Sequence, residues 1–198
     1  MDLTSFGADD VSTLKRSLRP AIFLDRDGVI VENRDEYVLS WDDVVFIPSA
    51  LEALNKLAAS DFAVVVVTNQ AAVGRGLMSR ADAQVINTHI QSEVFRAGGR
   101  LDAVYMCPHH PDEDCVCRKP KPGLLFRAAD DLGLDLSQSW MIGDALTDLQ
   151  AGQAAGVLNS LLVLTGRGAA QKATHQLQGG FHDLHAAVEH IMQTCQVG

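Results

Sequence analysis

Apolar positions along this chain gather into short runs that stop abruptly at polar residues. Ala21 to Leu24 ends at Asp25, Phe62 to Val67 ends at Thr68, and Asp102 to Met106 ends at Cys107. Trp140 to Ile142 ends at Gly143 and Asp144, and Ser160 to Leu164 forms a fifth run. Such brief, largely β-branched stretches predict strands covered on both faces. The intervals between them show helical spacing. Ser49 to Ala59 places Leu51, Leu54 and Leu57 on one face. Ser79 reads as an N-cap with Asp82 three residues on, opening a helix to about Ala97 that Gly98 and Gly99 terminate. Pro122 to Leu132 opens on proline and closes on Gly133, and further helices are expected from about Thr147 to Ala155 and from His182 to Thr194.

Strands alternating with helices predict an α/β fold: a Rossmann-like, doubly wound, mostly parallel sheet of at least five strands with right-handed crossovers. Residues 1–18 are polar and weakly periodic and read as an N-terminal arm, leaving 19–198 as a single domain. The helices consume most of the intervals from Asp27 to Thr68 and from Thr68 to Lys119, so no large cap domain is expected. Ligands of such sheets bind beyond the carboxyl ends of the strands. That rule singles out Asp25, Thr68, the Cys107 region and Asp144.

Composition narrows the partners. The formal charge of −9 over 198 residues disfavours nucleic acid and anionic membrane surfaces. No apolar run approaches the roughly 20 residues of a membrane helix, and the N-terminus lacks a signal pattern, so the cytoplasm is the expected location. Three of the four cysteines are bunched beside histidines, which in a reducing compartment points to a metal site rather than a disulfide framework.

Two acidic clusters follow predicted strands, Asp25-Arg26-Asp27-Gly28 and Gly143-Asp144-Ala145-Leu146-Thr147-Asp148. Carboxylates converging on one crevice repel unless a cation joins them. A hard divalent ion, magnesium, suits oxygen ligands and a phosphate-bearing substrate. Thr68 adds a hydroxyl, and Lys119, in the proline-stiffened run Cys117 to Pro122, would neutralise phosphoryl charge. The segment Cys107-Pro108-His109-His110 through Cys115-Val116-Cys117 is a Cys-x-His-x5-Cys-x-Cys pattern suited to tetrahedral structural zinc, a staple feeding directly into Arg118 and Lys119. His110 is the alternative nitrogen ligand.

These ordered motifs resemble the haloacid dehalogenase-like phosphohydrolases over roughly Ala21 to Gly168. The resemblance implies that Asp25 is the nucleophile and Asp27 the general acid and base, with Thr68 and Lys119 holding the phosphoryl group. It also implies magnesium on Asp25, the Asp27 carbonyl and Asp144, with Asp148 steadying those ligands or the lysine. The Cys-x-His loop, Cys-x-Cys-Arg-Lys-Pro, Thr68-Asn69-Gln70 and Gly74-Arg75-Gly76 look like the D,D-heptose 1,7-bisphosphate phosphatases. That likeness selects Cys107, His109, Cys115 and Cys117 for zinc. It implies sugar or phosphate contacts from Asn33, Arg34, Asp35 and Glu36, from Thr68, Asn69, Gln70 and Ala71, and from Arg75, Arg118 and Lys119. Arg118 would also assist at the transferring group.

Two departures fall in the substrate-selecting loops: Glu36-Tyr37-Val38 where relatives often have Gly-Tyr-Val, and Ala71-Ala72 where they often have Ser-Gly or Ala-Gly. The expected activity is therefore magnesium-dependent hydrolysis of the 7-phosphate of a heptose 1,7-bisphosphate, by a monomer or weak oligomer. Histidinol-phosphate phosphatase or another small phosphomonoesterase, a polynucleotide 3′-phosphatase and a non-enzymatic zinc-stapled binding protein are the alternatives.

Overall fold

A computed structural model describes residues 18–195, so the expected arm over 1–18 lies, but for Leu18, outside the described residues. In chain order the elements are β1 (Ala21–Leu24), α1 (Pro48–Ala58), β2 (Ala63–Asn69), α2 (Ala71–Gly74), α3 (Arg80–Arg96) and β3 (Ala103–Cys107). They continue as α4 (Gly123–Leu132), β4 (Trp140–Gly143), α5 (Leu146–Ala155), β5 (Asn159–Leu162), α6 (Gly168–His175) and α7 (Leu184–Cys195). The five strands form one parallel sheet in the order β3-β2-β1-β4-β5, with β1 central.

Strand alternation divides the core between the two faces. Ile22 and Leu24 of β1, with Val64 and Val66 of β2, pack on α1, α3 and α7 through Leu54, Leu57, Ile86, Ile90, Val188 and Ile191. Ala21, Phe23, Val65 and Val67 face the other way onto α4 and α5, against Leu124, Leu125, Ala128 and Ala151. The continuous apolar runs thus reflect a sheet with no solvated face. Only a loop with a single 3-10 turn (Trp41–Asp43) and α1 lie between β1 and β2, and only α2 and α3 between β2 and β3, so no large cap intervenes.

Boundaries differ where pairing outlasts hydrophobicity. β2 continues through Thr68 and Asn69 because these residues stay in register with Met106 and Cys107 of β3. β5 stops at Leu162, and Val163 instead forms an isolated bridge with Phe181. Ser79 caps α3 as expected, its hydroxyl accepting from the Asp82 amide at 3.0 Å. The apolar pattern did not announce α6: of its residues only Gly168 is buried, so it carries no stripe to detect.

Candidate active site

The carboxyl ends of β1, β2 and β4, together with the segment after β3, enclose a cavity of about 500 Å³. Asp25 enters it directly from β1; its amide still accepts the sheet's order by donating to the Ile142 carbonyl at 3.0 Å. Lys119 lies across the cavity floor, 3% exposed, its Nζ 2.9 Å from Asp25 Oδ1 and 2.7 Å from Asp148 Oδ1, and donating to the Val67 carbonyl at 2.7 Å. Asn69 fixes the lysine's backbone: its Oδ1 accepts from the Lys119 amide at 3.0 Å and its Nδ2 donates to the Lys119 carbonyl at 3.1 Å.

Asp144 Oδ2 accepts from Asn33 Nδ2 at 2.6 Å and from the Arg167 amide at 2.8 Å. Asp148, at the first turn of α5, accepts from the Ala145 amide through Oδ2, leaving Oδ1 for the lysine. Oxygens of Asp25, Asp144 and Asp148 lie within 4.8 Å of one another. Burial, opposed by Lys119 but reinforced by Asp148, Asp144 and Asp27, raises the Asp25 carboxyl to about 7. Burial likewise raises Asp144 to about 6. Burial would lower the Lys119 ammonium, but Asp148 and Asp25 outweigh it and hold the ammonium above its usual range. Asp25 and Asp148 share the one ammonium while Asp144 has none, and this all-oxygen set of three carboxylates fits a hard divalent cation.

Asp27 stands apart from that trio. Its Oδ1 accepts from Arg26 Nη2 at 2.9 Å and Nε at 3.2 Å, and its Oδ2 accepts from Gln70 Nε2 at 3.2 Å. Gln70 Nε2 also donates to Thr68 Oγ1 at 2.9 Å. Gly28 completes the turn at a φ of +84°, and a Cβ there would run into the Asp144 carboxylate and the Asn33 amide. The glycine is required both by conformation and by space.

Of the residues implicated from sequence, Asp25, Asp27, Asn33, Arg34, Thr68, Asn69, Gln70, Ala71, Arg75, Arg118, Lys119, Asp144 and Asp148 all line the cavity. Asp35 and Glu36 do not line it and are exposed. Tyr37, at a φ of +69°, turns in beside them. Asn33 and Asn69 spend their amides on Asp144 and Lys119. Arg118 keeps Nη1 buried without a partner. The sequence reading missed Arg26 and Arg167. Arg167 follows the fifth strand, so the strand-end rule pointed to it, whereas nothing in a turn arginine announced that Arg26 would be 2% exposed.

Beside the cavity, Cys107, His109, Cys115 and Cys117 place their donor atoms within 4.8 Å of one another. His109 Nδ1 is 3.2 Å from Cys117 Sγ and 3.5 Å from Cys107 Sγ. His110 is outside this group, its Nδ1 accepting from the Asp112 amide at 3.2 Å. Burial and the neighbouring thiols push the Cys117 thiol up to about 12. Three thiols and an imidazole at these separations suit a tetrahedral soft-ligand cation, which would hold the sulfurs as thiolates. A Cβ on Gly74 would strike the backbone of His109 and His110, so α2, and Arg75 after it, pack tightly on this loop.

The HAD-hydrolase-like family profile matches residues 116–195. The chain is 36% identical over 177 residues to the D-glycero-beta-D-manno-heptose-1,7-bisphosphate 7-phosphatase of Pseudomonas aeruginosa, spanning 88% of this chain and 99% of that protein. It is 39% identical over 175 residues to the protein of the same name from Bordetella bronchiseptica, spanning 87% and 97%. The crystal structure of the D,D-heptose 1,7-bisphosphate phosphatase from B. bronchiseptica, complexed with magnesium and phosphate, superimposes with a TM-score of 0.82 at 38% identity, covering 88% of this chain and 99% of that one.

Proposed function

The chain belongs to the D-glycero-D-manno-heptose-1,7-bisphosphate 7-phosphatase family of haloacid dehalogenase-like hydrolases, and on that premise we propose that it hydrolyses the 7-phosphate of this heptose bisphosphate with magnesium as cofactor. Asp25 attacks phosphorus in line while Asp27 gives its proton to the departing sugar oxygen, leaving an aspartyl phosphate and the sugar 1-phosphate. Asp27, now a carboxylate, takes a proton from the water that attacks the same phosphorus, and Asp25 leaves as inorganic phosphate forms. Lys119 and the Thr68 hydroxyl hold phosphoryl oxygens through both steps. Asp25, the Asp27 carbonyl and Asp144 would hold magnesium, which supplies further neutralisation of phosphoryl charge.

The observation carrying the bisphosphate is the charge of the cavity lining. Four aspartates are matched there by six cations, although the whole chain carries −9. Arg26 and Lys119 are engaged by carboxylates, which leaves Arg34, Arg75, Arg118 and Arg167. A second phosphate, with about −1.5 to −2 charge at neutral pH, gives those arginines a counter-ion. Histidinol phosphate, which brings an ammonium group, does not. Binding energy from the remote phosphate can then orient the reacting one.

Cys107, His109, Cys115 and Cys117 are proposed to hold structural zinc, on the strength of their donor set and clustering. Residues 19–198 form one phosphohydrolase domain on this reading, and the reduced thiols suit a cytoplasmic setting. Among the described residues, no helix is long and apolar enough to cross a membrane. The deciding assay compares heptose 1,7-bisphosphate, heptose 7-phosphate, histidinol phosphate and a 3′-phosphorylated oligonucleotide, with product position read by phosphorus NMR. The bisphosphate should give the highest kcat/KM with loss confined to the 7-phosphate. Faster turnover of histidinol phosphate, or preferential loss of the 1-phosphate, would overturn the substrate.

A further inference from the structure

A polar network runs behind the acid-base aspartate, and neither chemical step passes through it. Arg26 is 2% exposed and Asn87 of α3 is 1% exposed. Arg26 Nη1 donates to Asn87 Oδ1 at 2.9 Å, while Nη2 and Nε converge on Asp27 Oδ1. Nη2 also reaches Gln70 Oε1 at 3.2 Å. Gln70 in turn donates to Asp27 Oδ2 and to the Thr68 hydroxyl. Each oxygen of Asp27 therefore has a fixed donor, and those donors are anchored on β2 and α3 rather than on the mobile end of a side chain.

Burying a guanidinium carries a large desolvation cost, and a buried pair is seldom the most stabilising choice for a core. A leucine or methionine facing Asn87 would fill such a space without it. The network is better matched to the reaction, in which Asp27 alternates between acid and carboxylate. Fixed donors aimed at the carboxylate stabilise the charge that appears there as the proton leaves, with no reorganisation at that moment.

We propose that Arg26, braced from behind by Asn87, is the positioning residue for proton transfer by Asp27. The proposal rests on Asp27 being the general acid and base. When the sugar oxygen departs, the proton passes from the Asp27 carboxyl to that oxygen, and the new carboxylate is taken up by Arg26 at Oδ1 and Gln70 at Oδ2. When water attacks the aspartyl phosphate, the proton moves from water to Asp27, and the carboxyl is regenerated. Arg26 and Asn87 exchange no proton and touch no substrate. Their role is orientation, so their loss slows the steps in which Asp27 moves a proton and spares only phosphorylation by an ester whose leaving group needs none.

The test uses Asn87→Leu, Arg26→Lys and, as reference, Asp27→Asn, each assayed on a primary alkyl phosphomonoester and on p-nitrophenyl phosphate. p-Nitrophenolate leaves without protonation. General acid-base catalysis contributes roughly 10²–10⁴-fold, and loss of orientation forfeits part of it. Asn87→Leu, an apolar replacement of similar size, should lower kcat on the alkyl ester about 10-fold or more at little-changed KM, while the rapid p-nitrophenolate burst of one per site keeps its rate. Asn87→Asp, which retains the acceptor for Nη1, should restore most of the alkyl activity. Arg26→Lys, which cannot bridge Asp27 and Asn87 together, should behave like Asn87→Leu; if it does not fold, the Asn87 pair carries the test. Equal losses in alkyl turnover and burst rate, or no alkyl loss in Asn87→Leu, would overturn the positioning role. Absence of leaving-group selectivity in Asp27→Asn would instead overturn the acid-base assignment, and the proposal with it.

Discussion

Replacing Asp144 by asparagine should make the magnesium-free protein more stable while abolishing its response to magnesium. Asp144 is 2% exposed, so solvent does little to screen its charge. Its carboxyl is raised from 3.8 to about 6, chiefly by burial, which corresponds to about 3 kcal/mol of destabilisation once the group ionises. The sign follows from linkage: an acid raised on folding contributes its stability below about pH 4, and that contribution is lost as the pH rises through about 6. Asparagine keeps an oxygen to accept from the Arg167 amide and Asn33 but carries no charge toward Asp25 and Asp148. Up to about 3 kcal/mol at neutral pH translates into a rise in Tm of about 6–12 °C for a domain of this size. Wild type regains about 2.7 kcal/mol at magnesium 100-fold above Kd, and the variant gains nothing. Thermal melts at pH 5 and pH 7.5, with magnesium removed by dialysis and no chelator that would compete with the Cys107, His109, Cys115 and Cys117 cluster, give the comparison. The variant's advantage should grow with pH. A variant that melts at or below wild type at pH 7.5 without magnesium, or one that magnesium stabilises as much as wild type, would refute the account.

Asp25→Asn should abolish steady-state turnover while the circular dichroism spectrum stays native, because an amide cannot serve as the nucleophile; wild-type turnover would exclude a covalent route through Asp25. Cys117→Ser should lower zinc from about one per chain, measured by mass spectrometry of the purified protein, and reduce turnover by loosening the Arg118 to Lys119 segment; full zinc and normal rates would exclude the staple. Asn69→Ala removes two hydrogen bonds to the Lys119 backbone and should cost about 1–3 kcal/mol in a denaturant titration with kcat reduced about 10-fold, while zinc content is unchanged. An unaltered kcat would show that the lysine does not depend on that clamp.

The strands were legible because each is an apolar run cut off by the residue that does chemistry: Leu24 before Asp25, Val67 before Thr68, Ile142 before Gly143 and Asp144. Four motifs at strand ends converge because one sheet edge collects them, and the structure brings all four to one cavity. What stayed hidden depends on three-dimensional packing. Asn33 and Asn69 look like substrate contacts along the chain, yet their amides are bound to Asp144 and to the Lys119 backbone. Arg26 in a turn reads as a surface charge until α3 supplies Asn87 from 61 residues away. α6 has only a glycine buried, so hydrophobic period says nothing of it.

The central place of β1 has a consequence for how the enzyme comes into being. During synthesis β1 can pair with β2, and β2 with β3, once residue 107 has emerged. On its other side β1 waits for β4: the Ala21 amide finds the Ser139 hydroxyl 118 residues later. Until then Asp25 has neither Asp144 nor Asp148 beside it. Asp25 is thus made well before the strand that brings its acidic partners, and half a sheet carries no cation site of this kind. Long-range parallel pairing is slow to form. A chain interrupted before β4 is consequently inert, and phosphoester cleavage begins only when the late strand docks and the sheet edge closes around its charge.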